Sequence, residues 1–140
     1  MEENQPADGS ADPKTKEILI VDDDESMLNL LSILVRRDGF RIDLASTGDD
    51  ALEKLKRPHD ALILDLMLPG NTSGFDVLAR LRAFGGQVPP VIVVTAYAQT
   101  KEVQAVMKDP NVALFLSKPI NQKTLLGALH RILKTANPRP

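Results

Sequence analysis

The sequence predicts an α/β protein built on one doubly wound, five-stranded parallel sheet with helices on both faces. Continuous apolar runs at 18–21, 61–64 and 91–94 are typical of strands that are buried on both faces of a parallel sheet. Longer stretches of helical period separate these runs. Because strands alternate with helices, we expect right-handed crossovers that cover the sheet on both sides.

The two remaining strands are predicted from weaker patterns. Ile42 and Leu44 alternate with Arg41 and Asp43, which suits an edge strand that is covered on one side. A fifth apolar run at 113–116 follows the fourth helix.

Apolar residues at helical spacing predict the helices between the strands. Their apolar faces contain Met27, Leu28, Leu31, Leu34 and Val35 in the first; Phe75, Val77, Leu78 and Leu81 in the third; Val103, Val106 and Met107 in the fourth; and Leu125, Leu126, Leu129, Ile132 and Leu133 in the fifth. The second helix is predicted at 49–56 with Thr47 as its N-cap and Asp50 in capping-box position, and Asn121 is expected to cap the fifth.

Length and composition indicate one domain with flanking segments. The chain has 140 residues, of which 43% are hydrophobic, enough for one globular core. Residues 1–16 contain no large apolar side chain after Met1, so we expect a disordered N-terminal arm. The domain is predicted at 17–135, and 136–140 form a C-terminal tail or the start of a linker.

Charge and residue usage exclude several kinds of site. The formal net charge of -2 argues against direct nucleic-acid binding by this chain alone. The absence of cysteine excludes disulfides and thiolate metal sites. Of the two histidines, His59 is expected in a turn and His130 on an exposed helix face. No apolar run approaches the roughly 20 residues that span a bilayer, so we expect a cytoplasmic protein without a membrane segment.

Polar residues follow the predicted strands, at the edge where doubly wound sheets bind ligands. Asp22 and Asp23 follow the first strand, Asp65 the third, Thr95 ends the fourth, and Lys118 comes just after the fifth. Clustered carboxylates repel one another unless a cation compensates them. Because the donors are oxygens, the sequence favours Mg²⁺ or Mn²⁺ at this edge.

These residue types suit a phosphoryl group. The carboxylate of Asp65 is a nucleophile that can form an acyl phosphate. A metal held by Asp22, Asp23 and Asp65 would neutralise charge, while Lys118 and Thr95 contact the remaining phosphoryl oxygens. The sequence positions no strong general base there, which favours a long-lived phosphoenzyme over a fast phosphatase.

The motifs ILIVDDDES, ALILDLMLPG, VIVVTAY and LFLSKP resemble the receiver domain of two-component response regulators over about residues 17–135. The resemblance implies a flavodoxin-like sheet of order 2-1-3-4-5 and transfer of phosphate from a histidine kinase or histidine phosphotransfer protein to Asp65. It implies a metal site at Asp22, Asp23, Asp65 and the backbone carbonyl of Met67. It also implies that Lys118 is the family's lysine, before a proline that is typically cis.

The resemblance further implies a conformational switch. Thr95 would move toward the phosphoryl oxygens, and the aromatic Phe115 would turn inward. This remodels the face made by the fourth helix, fifth strand and fifth helix, which would control a downstream partner or effector. Met67 and Tyr97 would flank the path of attacking water and slow self-hydrolysis. The loop after Asp65 is one residue longer than is usual in the family.

Two other functions are compatible with parts of this pattern. A haloacid dehalogenase-type phosphotransferase also uses an aspartate nucleophile, but it needs a second aspartate two residues later, where this chain has Met67. A receiver-like binding module without phosphotransfer would not need the complete set of site residues. The sequence leaves open the effector, the partner kinase and whether phosphorylation produces a homodimer.

Overall fold

The computed structural model describes residues 9–84, 88–96 and 99–138. The strands are β1 (Glu17–Val21), β2 (Arg41–Ala45), β3 (Ala61–Asp65), β4 (Val91–Thr95) and β5 (Val112–Ser117). The helices are α1 (Glu25–Arg37), α2 (Gly48–Lys54), α3 (Gly74–Ala83), α4 (Lys101–Val106) and α5 (Gln122–Leu133). All strand pairs are parallel, in the order β2-β1-β3-β4-β5. The predicted doubly wound sheet is confirmed.

Two apolar layers cover the sheet, one on each face. One layer packs alternate strand residues such as Leu19, Leu62 and Val93 against α2, α3 and α4. The other packs the intervening residues, such as Ile20 and Ile63, against α1 and α5. This division follows from the period of two along each strand. None of the helices in the described residues is long and apolar enough to cross a membrane.

Side-chain caps fix where the helices begin. Thr47 accepts a hydrogen bond from the backbone of Asp50, and Asn121 accepts one from Thr124, as the sequence predicts. Ser73 and Asp76 form a reciprocal capping box at the start of α3. α2 is shorter than its predicted range of 49–56, and α4 ends at Val106, so that Met107 is its exposed C-cap.

The segment before β1 differs from the expected disordered arm in the residues that are described. Pro13–Thr15 form a short 3-10 helix capped by the side chain of Asp12. The amide of Ala11 donates to the carbonyl of Lys134 at 2.8 Å, just after α5. Backbone hydrogen bonds and the cap therefore order part of a segment that has no large apolar residue. Residues 1–8 lie outside the described residues.

Both histidines are buried, so the expectation of an exposed His130 is wrong. His130 is 2% exposed, and its Nε2 lies 2.9 Å from Oδ2 of Asp38 while Nδ1 lies 2.6 Å from Oγ1 of Thr135. The side chain of His59 is fully buried next to Asp43. These partners come from distant elements or from beyond the end of α5, so the helical period of the sequence could not show them.

Candidate functional site

The carboxyl ends of the strands bring together most of the predicted site residues. Asp22 follows β1, Asp65 ends β3, Thr95 ends β4 and Lys118 follows β5. Asp22, Asp23 and Asp65 each present a carboxylate oxygen, and these atoms lie within 4.8 Å of one another. We call these five residues the carboxyl-edge site.

Lys118 bridges the two buried carboxylates of the site. Its Nζ donates to Oδ2 of Asp22 at 3.0 Å and to Oδ2 of Asp65 at 3.1 Å. The side chains of Asp22 and Asp65 are only 2% and 5% exposed, against 20% for Lys118. In the described part of the chain, one positive charge therefore compensates a group of three carboxylates, which leaves the site with net negative charge.

The contacts with Asp22 and Asp65 also shift the pKa of Lys118. Burial alone would lower the pKa of Lys118, but the hydrogen bonds to Asp22 and Asp65 and their negative charges outweigh burial and raise the pKa above its ordinary value. The ammonium form is therefore stabilised at this edge. It remains a cation that can contact a further anionic group.

Backbone amides fix the orientation of both buried carboxylates. The amide of Met67 donates to Oδ1 of Asp65 at 3.0 Å, and the amide of Asp24 donates to Oδ1 of Asp22 at 2.9 Å. Each carboxylate thus has one oxygen held by the backbone and the other by Lys118. This arrangement preorganises the two groups before any ligand arrives.

Thr95 is the buried polar residue at the end of β4. It is fully buried, and its Oγ1 has no hydrogen-bond partner among the described residues. Leaving a buried hydroxyl unpaired costs about 1–3 kcal/mol, so such a group indicates a ligand or a functional state that satisfies it. The amide of Lys118 donates to the Thr95 carbonyl at 2.9 Å, and the Lys118–Pro119 peptide bond is cis.

Phe115 lies on the strand beside β4. It pairs with Val93 in the sheet, and its partly buried side chain packs against the apolar layer that contains Val93 and Val103. Thr95 lies two residues after Val93, so the period of two places it on the same sheet face as Phe115. Tyr97 lies outside the described residues.

The donor set fits a hard divalent cation. Three carboxylates without a neutral nitrogen or thiolate ligand are typical of Mg²⁺ or Mn²⁺ sites. The carbonyl of Met67 is the further predicted ligand. The amide of the same residue donates a hydrogen bond to Asp65.

Gly74 is a structural residue of the site that the sequence patterns did not single out. A Cβ atom there would lie 2.2 Å from the carbonyl oxygen of Asp65 and 2.5 Å from Cα of Leu66. The first residue of α3 therefore packs directly on the backbone of Asp65, where only glycine fits. A glycine at the start of a helix suggests that another part of the backbone packs closely against it. The sequence does not show that this is the backbone of Asp65, because the contact depends on the fold.

Known proteins match this chain in both sequence and structure. The family model for the response regulator receiver domain matches residues 18–130. Sensory transduction protein RegX3 of Mycolicibacterium smegmatis is 35% identical over 119 residues, which cover 84% of this chain and 50% of the relative. DNA-binding response regulator MtrA of Mycobacterium tuberculosis is 34% identical over 131 residues, covering 92% of this chain and 55% of the relative. The chain thus spans about half the length of these curated relatives.

Solved structures show the same fold. The signal receiver domain of a putative LuxO repressor protein from Vibrio parahaemolyticus has a TM-score of 0.76 and 30% identity, covering 85% of this chain and 90% of that chain. The receiver domain of sensor histidine kinase PA1611 from Pseudomonas aeruginosa has a TM-score of 0.74 and 26% identity. The match covers 84% of this chain and 97% of that chain. That neighbour has a magnesium ion coordinated in its active site cleft.

The family match covers most of the sheet and all strand ends of the carboxyl-edge site, and it confirms the resemblance carried by the four sequence motifs. The chain belongs to the response regulator receiver domain family of two-component signalling proteins.

Proposed function

We propose that Asp65 is the phosphoryl acceptor of this receiver domain, and that Asp22, Asp23, Asp65 and the Met67 carbonyl hold Mg²⁺ or Mn²⁺ beside it. The observation that carries this proposal is the pairing of Asp65 with Lys118 at 3.1 Å beside the buried hydroxyl of Thr95, which has no hydrogen-bond partner among the residues that the structure describes. A phosphoryl group on Asp65 would supply oxygens that both the ammonium and the hydroxyl can contact.

The chemistry is a transfer between two nucleophiles. An oxygen of Asp65 forms a bond to phosphorus while the bond from phosphorus to the phosphohistidine nitrogen breaks, and the histidine leaves with the electron pair. A bound divalent cation would neutralise charge on the transferring group. The amide of Met67 keeps one carboxylate oxygen oriented, and Lys118 can pass from the carboxylates to the phosphoryl oxygens.

The proposed conformational switch involves the hydroxyl of Thr95, which has no partner in the described part of the chain. Thr95 donates to a phosphoryl oxygen, and Phe115 on the same sheet face turns into the space that the threonine leaves. The surface formed by α4, β5 and α5 then changes. This change would regulate a downstream effector protein or domain, or a phosphorylation-dependent homodimer.

The partners are a sensor histidine kinase or histidine phosphotransfer protein upstream and an effector downstream, with the signalling taking place in the cytoplasm. The relative MtrA is a DNA-binding response regulator about twice as long as the matched region. For this chain we propose no direct contact with nucleic acid and no catalytic activity beyond its own phosphorylation and dephosphorylation.

The test is to treat the chain with a phosphohistidine donor and Mg²⁺ and to locate the modification by mass spectrometry. We expect one acyl phosphate on Asp65, its loss on chelation of Mg²⁺ before transfer, and no modification in Asp65→Asn. A phosphoryl group on another residue would overturn the assignment. Sustained hydrolysis of a phosphate ester would instead support the dehalogenase-type alternative.

A further inference from the structure

The loop between β3 and α3 rests on the first residue of α2. A Cβ atom at Gly48 would lie 2.2 Å from the carbonyl oxygen of Thr72 and 2.7 Å from its Cγ2. Both distances are too short for any side chain, so only glycine lets the loop backbone approach the helix this closely.

A side-chain hydrogen bond fastens the same contact. The hydroxyl of Thr72 donates to Oδ1 of Asp49 at 2.5 Å, the short distance typical of a hydroxyl bound to a carboxylate. Thr72 is only 5% exposed, whereas Asp49 lies at the surface in the first turn of α2. The anchor therefore joins two elements that are separated by 23 positions in the chain.

The other end of the loop is fixed against the acceptor strand. The amide of Gly74 donates to the carbonyl of Leu66 at 3.1 Å, and the close approach of Gly74 to the Asp65 backbone leaves no room for a side chain. Leu66 and Leu68 are buried in the core at 0% and 5% exposure. Met67, between these two leucines, keeps its amide on Oδ1 of Asp65.

We propose that Thr72, supported by Asp49 and Gly48, is a positioning residue that holds the loop so that the backbone of Met67 stays at the acceptor carboxylate. This inference rests on the proposed function of Asp65. The anchor on α2 restrains the middle of the loop, between Met67 and the start of α3. Loss of the anchor would loosen Met67 without removing any group that touches metal or phosphoryl oxygens.

The test compares Thr72→Val, which removes the hydroxyl but keeps the shape, with Thr72→Ser, which keeps a hydroxyl. For Thr72→Val we expect the Mg²⁺ dissociation constant to rise about tenfold, the lower end of the effect of losing an outer-shell support. In metal-free protein, hydrogen exchange of the Met67 amide should become faster, and the acyl phosphate should decay sooner. Thr72→Ser should restore all three readouts toward those of the original chain.

Asp49→Asn is a second variant that weakens the same bond from the protein surface, and we expect smaller changes in the same direction. Asp50→Asn is the matched control, because it removes a neighbouring acid of the same helical turn whose ion pair is with Lys54. Unchanged metal affinity and Met67 exchange in a folded Thr72→Val or Asp49→Asn would overturn the positioning role. Failure of the original chain to accept phosphate on Asp65 would overturn the proposed function instead, because exchange in metal-free protein does not depend on phosphorylation.

Discussion

Two clusters of titratable residues lie at opposite edges of this sheet, and in each of them the candidate ligand atoms lie within 4.8 Å of one another. At the carboxyl edge, Asp22, Asp23 and Asp65 present oxygens within 4.8 Å of one another. Toward the amino side of the sheet, ligand atoms that meet the same limit come from Glu17 at the start of β1, Asp43 in the middle of β2 and His59 before β3. We call these last three residues and Arg57 the amino-edge cluster. Proximity alone does not distinguish the two groups.

Charge compensation does distinguish them. Arg57 donates to both oxygens of Glu17, at 2.7 and 3.0 Å, and to Oδ2 of Asp43 at 2.8 Å. His59 lies with Nε2 3.0 Å from Asp43 and Nδ1 3.1 Å from the carbonyl of Arg57, so both contacts are hydrogen bonds when both nitrogens carry protons. The two carboxylates of the amino-edge cluster share Arg57, but Asp43 has two further partners, His59 and the Nζ of Lys54 at 3.8 Å.

The pKa shifts agree with this difference. Hydrogen bonds from Arg57 lower the pKa of Glu17. Burial alone would raise the pKa of Asp43, but the hydrogen bond from His59 and the charges of Lys54 and Arg57 outweigh burial and lower it. At the carboxyl edge, Lys118 is the cation of two buried carboxylates, and the hydroxyl of Thr95 has no hydrogen-bond partner in the described residues. The amino-edge cluster is internally satisfied, and the carboxyl-edge site is not.

Residues of the amino-edge cluster also line a cavity. A cavity of about 420 Å³ opens beside the amino-edge cluster, and its lining includes Leu55, His59, Leu81 and Phe84. The two groups therefore differ in charge compensation and in the hydrogen-bonding capacity that is left unused within the described residues.

We expect the largest difference between the two edges in the rate of phosphoryl transfer, when the cation of each edge is removed in turn. Lys118→Met should slow phosphoryl transfer to Asp65 about 10²–10³-fold, the usual loss when a preorganised donor is removed from a developing charge. Arg57→Met is the matched control at the amino edge and should leave the transfer rate unchanged. Rates are measured with a phosphohistidine donor at saturating Mg²⁺. Equal losses in the two variants would remove the distinction between the edges.

Magnesium should stabilise the protein through one edge only. At a Mg²⁺ concentration 100 times the dissociation constant, the free energy of unfolding should rise by about 2.7 kcal/mol. Asp23→Asn should lose most of this gain, whereas Asp43→Asn should keep it. Urea unfolding with and without Mg²⁺ measures both. Loss of the gain in Asp43→Asn alone would place the metal at the amino edge.

The amino-edge cluster should contribute to stability independently of metal. Arg57→Met leaves Glu17 and Asp43 with fewer donors, at side-chain exposures of 13% and 17%. Because Arg57 is itself 53% exposed, solvent screening should keep the loss of unfolding free energy small. Added Mg²⁺ should not restore that loss. Recovery with Mg²⁺ would mean that the two carboxylates become a metal site once the guanidinium is gone.

Local sequence patterns predicted the sheet and the carboxyl-edge site because both depend on single strands. Apolar runs predict β1, β3 and β4. Because parallel strands end at a common edge, these runs also predict that Asp22, Asp65, Thr95 and Lys118 lie together. The residues of this site are close because the topology is regular, so knowing the strands was sufficient.

The same reasoning could not find interactions that depend on side-chain packing between distant elements. Arg57 and Glu17 are 40 positions apart, and His130 and Asp38 are 92 positions apart. Neither pair leaves a periodic signal, because each residue alone resembles an ordinary surface residue. The predicted exposure of His130 was wrong for this reason.

The smallest expected effect is the response of the amino edge to acid. Because the folded pKa values of Glu17 and Asp43 lie below the ordinary values of 4.5 and 3.8, their stabilisation is complete above those values and is lost as pH falls through the folded values. Each carboxylate should contribute less than about 1 kcal/mol, since the cluster is partly exposed. Glu17→Gln and Asp43→Asn should therefore flatten the decline of unfolding free energy below pH 4.5, measured by urea unfolding across pH. Glu53→Gln is the control, because the Glu53–Lys56 pair is exposed on both sides and should not shape the profile. A decline as steep in Glu17→Gln and Asp43→Asn as in the original chain would show that other carboxylates cause the acid sensitivity and that the amino-edge cluster binds its protons as the unfolded chain does.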